Sequence, residues 1–320
     1  MTGGLQTLQL NPSTTPFNLE ETLRCGQVFR WRRLGDWWCG VVGDQVVKLR
    51  QLGSRLVFEL HPEGGGGRLL TRYFRLDDNL PHILSQINRD GWIGRAIQSL
   101  YGLRIIRQDP WECLISYICA TNTNIPTIRR MIANLCQRFG EEIRCGEHIF
   151  HTFPKPEALA SASLWELRGC GLGFRARWVL QAARAVCSGE LDVEGLKSLG
   201  YGEARRELMS LKGVGGKVAD CILLFALEKL EAFPVDVWMK RIVLELYPRH
   251  FSPDFVRRAL AKRSLTPREY EEISLFGRRY FGGYAGYAQE YLFHYFRGRR
   301  KGIKAAHSFS GFQSPAGRWW

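Results

Sequence analysis

The sequence predicts an α+β chain, an antiparallel β-rich N-terminal domain followed by an all-α body. Three observations predict it: four short apolar runs lie between Gln27 and Leu60, helical periodicity runs almost unbroken from Asp109, and the later periodic segments are joined by short connections. Gln27–Trp31, Trp37–Val42, Gln45–Arg50 and Arg55–Leu60 have strand texture, with Gly43-Asp44 as a tight hairpin turn between two of them. Gly64–Gly67 reads as a flexible loop closing this region, and Tyr73–Leu103 mixes aromatic and amphipathic segments of helical character. Asp109-Pro110-Trp111-Glu112 is a helix start: Asp at the N-cap, Pro at the first position, Glu placed to close a capping box. That helix runs to about Ala120 and breaks at Thr121–Asn124; Pro126 opens the next, which ends near Phe139-Gly140. Further helices are expected at Arg175–Cys187, Gly202–Ser210, Gly216–Glu228, Val237–Tyr247, Pro253–Lys262, Pro267–Phe281 and Tyr284–Phe296. The expected domains are residues 1–105, β-rich; 106–297, helical; and 298–320, a basic tail.

Composition bounds the function. The 320 residues carry 45 Lys+Arg against 31 Asp+Glu, a net +14, and 45% are hydrophobic, which excludes wholesale disorder. No run approaches the ~18 apolar residues of a membrane helix, so no membrane partner is expected. Met1–Leu10 has neither the basic nor the apolar region of a secretory signal. Nine cysteines, an odd number with no C-x-x-C pair, argue against a disulfide framework or a zinc ribbon. They favour a reducing, intracellular setting: cytoplasm or nucleoid in a prokaryote, nucleus in a eukaryote. The positive excess points to a polyanionic partner. Six basic residues (Arg297, Arg299, Arg300, Lys301, Lys304, Arg318) fall in the acid-free stretch from Arg297 to Trp320, which reads as a solvated arm.

The segment Leu211-Lys212-Gly213-Val214-Gly215-Gly216-Lys217 separates two expected helices. Gly213 and Gly215 let the backbone turn sharply and approach a ligand, and the next helix begins there with its N–H groups open to a phosphate. A plain helix–helix turn has the same glycines. A P-loop is excluded, because Val218 follows the lysine. Lys217 lies in the first helical turn, where the dipole disfavours a second positive charge and makes the neutral amine easier to reach. It reads equally as a Schiff-base nucleophile or as a phosphate contact. Nineteen residues on, Asp236 in Phe233-Pro234-Val235-Asp236-Val237 precedes an apolar helix. It reads as an N-cap, and also as a carboxylate able to stabilise an oxocarbenium-like sugar.

The hairpin with Pro234-Val235-Asp236 resembles the helix-hairpin-helix DNA glycosylase superfamily, with its Gly/Pro-rich loop and aspartate. Three further segments narrow the resemblance to 8-oxoguanine DNA glycosylase: Cys25-Gly26-Gln27-Val28-Phe29-Arg30-Trp31, Gln108–Cys113 through Asn122-Thr123-Asn124, and Tyr284-Ala285-Gly286-Tyr287-Ala288-Gln289. The likeness spans roughly residues 15–297. The iron–sulfur branch resembling endonuclease III is excluded, since four closely spaced C-terminal cysteines are missing and the last cysteine is Cys221.

The resemblance implies an N-terminal β-sheet domain on a helix-hairpin-helix bundle, acting as a monomer on double-stranded DNA that contains 8-oxoguanine. No cofactor is implied; a structural cation at the hairpin stays open. The matching lysine, Lys217, attacks the sugar C1′ of a flipped nucleotide, and the Schiff base permits strand nicking by β-elimination. Asp236 stabilises positive charge. The Gly26 carbonyl accepts the N7 proton that guanine lacks; Cys221 and Phe293 form the walls of the base pocket; Gln289 reads the Watson–Crick edge. Asn122 fills the gap left by flipping, Phe174 is the wedge, and Arg175 reads the orphan cytosine. Gly213, Gly215 and Trp238 meet the DNA backbone. Two competing readings remain open on the residues alone: a monofunctional alkylpurine glycosylase using Asp236 without a lysine, and a non-catalytic helix-hairpin-helix DNA-binding protein.

The chain departs from the animal pattern twice. Thr127 stands where a second cytosine-reading arginine is found, and Trp238 replaces a phosphate-contacting histidine, which points to a prokaryotic-type branch. Losing a bidentate contact removes roughly 1–3 kcal/mol of base discrimination. Cleavage rates opposite C, T, G and A are therefore expected to spread less than in an enzyme carrying arginine there. A strict C-only preference in that four-duplex assay would refute the assignment of Thr127.

Overall fold

The computed structural model describes residues 4–298. The N-terminal region holds β1 (Gln6–Gln9), α1 (Leu19–Arg24), β2 (Arg32–Leu34), β3 (Trp37–Val42), β4 (Gln45–Leu52) and β5 (Arg55–His61). They form an antiparallel five-stranded sheet in the order β1-β5-β4-β3-β2. The β3–β4 register pairs Val42 with Gln45 around Gly43, whose φ of +61° fits the expected tight turn. Val47, Leu49, Leu56, Phe58 and Leu60 point to one face and bury against Trp31, Leu70 and Phe74.

Two expectations for this region differ from the structure. Residues 27–31 form no strand, because Gln27 spends its hydrogen bonds on other parts of the chain. Gly66 and Gly67 are not loop; they open α2 (Gly66–Tyr73). A Cβ on Gly66 would stand 2.4 Å from Phe58 and 2.6 Å from Leu60, so glycine is what lets the helix start press onto the sheet. The short elements β1, α1 and β2 carry too few residues to show a period.

The body contains α3 (Leu80–Ile87), α4 (Gly91–Ser99), α5 (Pro110–Cys119), α6 (Ile125–Phe139), α7 (Pro156–Ala160), α8 (Leu164–Gly169) and α9 (Arg175–Cys187). It continues with α10 (Tyr201–Ser210), α11 (Gly216–Phe225), α12 (Val237–Leu246), α13 (Pro253–Leu260), α14 (Pro267–Phe281) and α15 (Ala285–Gly298). It is not wholly helical: β6 (Glu142–Cys145) and β7 (His148–His151) form a hairpin turning at Gly146, φ +59°. The packing core of the body takes in Leu80, Ile83, Ile87, Ile93 and Ala96, so by packing it begins at α3, ahead of residue 105. Residues 299–320, most of the expected basic arm, lie outside the described residues.

Asp109 caps α5 as expected, accepting from the Glu112 N–H at 2.8 Å. The capping box does not close, because the Glu112 carboxylate is drawn to the Arg30 guanidinium at 2.7 Å. Helix α11 stops at Phe225 rather than Glu228; Glu228 has φ +60°, and its carboxylate takes Arg75 at 2.6 Å and Arg107 at 3.2 Å. Lys240, wholly buried in α12, donates to the carbonyls of Ala259, Lys262 and Ser264, each at 2.8 Å. This anchors the end of α13 to the helix that follows Asp236.

Gln27 joins the two halves. Its side-chain amide donates to Thr22 O (3.0 Å) and Arg104 O (2.9 Å) and accepts from the Ile106 N–H (2.8 Å). Its backbone carbonyl accepts from Gln108 Nε2 (2.7 Å) and the Tyr117 hydroxyl (3.2 Å). Gln27→Ala strands two buried carbonyls and a buried N–H, and is expected to cost roughly 2–4 kcal/mol in urea denaturation. A loss under about 0.5 kcal/mol would show that water replaces these bonds.

Candidate active site

Helix α10 ends at Ser210 and the chain turns back through Leu211–Gly215 into α11. Gly213 has φ +91°, and a Cβ there would fall 2.4 Å from the Trp178 indole, so this turn admits only glycine. Gly215 is the N-cap of α11 and supplies no side chain, which leaves the first N–H groups of the helix facing outward. The hairpin is thus built as its sequence indicates.

Lys217 is half-buried in the first turn of α11, with its Nζ 5.2 Å from the centroid of the Tyr117 ring. One turn further, Cys221 is 4% exposed. Burial pushes its thiol up to about 12; nearby Lys217 pulls it the other way, and Asp220, Glu290 and Asp236 reinforce the rise. The thiol therefore stands within electrostatic reach of these four groups. Asp236 is the N-cap of α12: its Oδ1 accepts from the N–H groups of Trp238 (2.9 Å) and Met239 (2.8 Å). Both bonds use a single oxygen, Oδ1.

Helix α15 closes the cleft. Gln289 is buried, and its Oε1 has no hydrogen-bond partner among the described residues. A buried amide oxygen in that state is a ready acceptor for N–H groups of a ligand. Phe293, one turn on, is half-buried. Gly26 faces this pocket with φ +107°, and Arg297 and Ile125 stand on its open side. Glu290, next to Gln289, is sealed in with Cys25, Arg297 and Asp236 around it.

The remaining expected residues form a second locus at the surface. Asn122 is exposed and left-handed, φ +51°, in the break between α5 and α6. Phe174 is 53% exposed and packs edge-on to Trp178 at 5.0 Å, the same indole that covers Gly213. Arg175 stacks under Phe174 at 4.4 Å. Its guanidinium is 8% exposed and donates to the carbonyls of Thr121, Asn122 and Leu172. Arg175 thereby holds the Asn122 turn, a contact that sequence reading did not foresee. Trp238 is half-buried in the first turn of α12.

Sequence reading also missed Asp220, Tyr117, Gln27 and Glu290. Asp220 is wholly buried and accepts from Tyr201 (2.8 Å), Arg205 (3.0 Å) and Tyr270 (2.5 Å), clamping α11 between α10 and α14. A charged residue inside the apolar run Val218–Phe225 was the available signal. Among the described residues, no three His, Cys, Asp or Glu side chains converge to hold a metal.

The fold and site together are those of base excision DNA repair: residues 115–264 match the HhH-GPD superfamily base excision DNA repair protein model. Residues 9–114 match the model of the 8-oxoguanine DNA glycosylase N-terminal domain. The N-glycosylase/DNA lyase of Saccharomyces cerevisiae is 34% identical over 86% of this chain and 82% of its own. A solved structure of MBOgg1 in complex with a low-affinity DNA ligand superposes with TM-score 0.81 at 35% identity, covering 93% of this chain and 97% of that one. The 8-oxoguanine glycosylase/lyase of Clostridium acetobutylicum, solved with dsDNA containing cytosine opposite 8-oxoG, gives TM-score 0.79 at 32% identity, covering 89% and 93%. The chain belongs to the 8-oxoguanine DNA glycosylase family.

Burial lifts the Glu290 carboxyl from its ordinary 4.5 to about 7, against the pull of Cys25 and Arg297. Between those values the folded chain holds a proton that the unfolded chain releases. Stability is therefore expected to fall as pH rises through that window, by about 3 kcal/mol, and to be flat across it in Glu290→Gln. Chemical denaturation at pH 4.5, 6 and 7.5 checks it; a parallel fall in the variant would place the proton elsewhere.

Proposed function

We propose that the chain excises 8-oxoguanine from double-stranded DNA and then nicks the strand, with Lys217 as nucleophile. The observation that carries this is the placement of Lys217 and Cys221 one turn apart on α11, with Asp236 capping α12 within electrostatic reach of the buried thiol. The alkylpurine and purely DNA-binding readings account for Asp236 or for the hairpin, but neither uses Lys217. Flipping is required because C1′ and the base edge are covered in the stacked duplex.

In this reading the hairpin N–H groups and Gly213–Gly215 seat the strand by its phosphates. Asn122 and Phe174 take the place of the extruded nucleotide. Arg175 reads the orphan base by exchanging a loop carbonyl for the cytosine acceptors. The purine slides between Cys221 and Phe293, where the unpartnered Gln289 Oε1 accepts its Watson–Crick N–H donors. The Gly26 carbonyl accepts N7–H, whereas guanine would oppose a lone pair to it; such a site rejects the analogue by up to about 10⁴-fold.

The Lys217 amine then attacks C1′ as the N-glycosidic bond breaks, and the base leaves with the bonding electrons. The Asp236 carboxylate offsets the positive charge that develops on the sugar. The amine loses a proton, and its nitrogen lone pair then opens the sugar ring by breaking the C1′–O4′ bond, with O4′ taking up a proton. The resulting protonated Schiff base acidifies C2′ and allows the 3′ C–O bond to break by β-elimination. Counterion release along the basic body supplies sequence-independent affinity and steep salt dependence.

Borohydride added during incubation with an 8-oxoguanine:cytosine duplex is expected to trap a covalent protein–DNA adduct. The adduct disappears in Lys217→Gln, and in Asp236→Asn forms slowly while DNA binding is kept. No adduct with the unaltered protein would sink the lyase step.

A further inference from the structure

Glu290 and Arg297 have no place in the reaction above, yet both stand at the base pocket. They lie seven residues apart on α15, on the face that carries Phe293. The Arg297 guanidinium is 5.3 Å from the Phe293 ring centroid. Its Nη1 is also the closest atom to the open side of Gly26, 3.2 Å from where a Cβ would stand. Glu290 is 3% exposed, and its carboxyl lies within electrostatic reach of Arg297 and against the thiol of Cys25, the residue before Gly26. A fork of N–H donors thus stands beside the Gly26 peptide, with a buried carboxyl near enough to act on its charge.

We propose that Arg297, with Glu290 as its buried counter-charge, donates a hydrogen bond to O8 of the flipped 8-oxoguanine and shares the reading of the lesion with the Gly26 carbonyl. This rests on the reading above that Gly26 faces N7. In the lesion N7–H and C8=O are neighbours, a donor beside an acceptor, as in a lactam. Guanine offers a lone pair at N7 and a C–H at C8. An acceptor and a donor side by side match the lesion at both atoms and guanine at neither. Above about pH 7, where Glu290 is ionised, its charge offsets that of the guanidinium as the neutral base enters. Glu290 acts through Arg297 and is a positioning residue.

The test uses the Lys217→Gln protein, which binds without cleaving, and measures Kd for duplexes holding 8-oxoguanine, 8-aminoguanine or an abasic analogue opposite cytosine. 8-Aminoguanine puts an N–H donor where O8 stands, and the abasic analogue has no base. Adding Arg297→Met is expected to weaken 8-oxoguanine binding by about 10- to 100-fold, the worth of a charge-assisted hydrogen bond, and to leave the other two unchanged. Arg297→Lys restores part of the loss, and Glu290→Gln gives a smaller loss confined to the same duplex. Equal weakening on all three duplexes would make Arg297 a phosphate or folding residue, and no weakening, or tighter binding, would make it a mere occupant of the pocket; each overturns the proposal. If the Lys217→Gln protein binds 8-oxoguanine and guanine duplexes alike, the base-pocket reading itself fails and the proposal falls with it, without reference to any Arg297 variant.

Discussion

The buried amide of Gln27 is the constraint on which the pocket depends. It follows Gly26 directly, and five hydrogen bonds converge on its side chain and carbonyl from α1, residues 104–108 and α5. For the reading of N7 proposed above, the Gly26 peptide must be kept from rotating. Each bond is worth little net, but leaving any of these groups unpaired in the interior is costly, so the backbone at Gly26 is over-determined. The same residue ties the β-sheet domain to the helical body, and the domain junction and the reading edge are one structure.

The catalytic helix is held by comparable means. Asp220 draws three donors from α10 and α14 onto α11, one turn from Lys217, while Trp178 fills the space that a side chain at Gly213 would need. Trp178 also backs Phe174, so the hairpin turn and Phe174 share one indole. Arg175 donates to the Thr121 and Asn122 carbonyls beside Phe174. In the reading proposed above, this links opening of the duplex to presentation of the sugar to Lys217.

Charge and recognition are divided. The +14 excess serves attraction to the phosphates over the whole surface, a long-range and salt-sensitive effect. The site holds few charges, and each has a nearby offset: Glu290 is within electrostatic reach of Arg297, and Asp236 spends one oxygen on the N–H groups at the start of α12. Selectivity then falls on short directional bonds at a water-excluded edge, where a mismatched donor or acceptor has nowhere else to turn.

The sequence by itself determined the elements with strong local signals: the Asp109-Pro110 helix start, Arg175–Cys187 and Pro267–Phe281 to the residue, the Gly43 hairpin, and the lysine and aspartate spaced by the hairpin. These are legible because capping, period and glycine turns act within a few residues. The strands β6 and β7, four residues each and paired with one another, are too short to show a period. The irregular course of Gln27–Trp31 left no trace because Gln27 bonds to partners 77 to 90 residues away, at Arg104, Ile106, Gln108 and Tyr117. Only the tertiary structure decided that Glu112 pairs with Arg30 instead of closing its cap, that Arg175 braces a loop, and that Arg297 comes to stand beside Gly26. Burial is what separates the two kinds of knowledge: a charged side chain reads as surface in the sequence, and only packing shows which charges the interior has taken in and what each must then face.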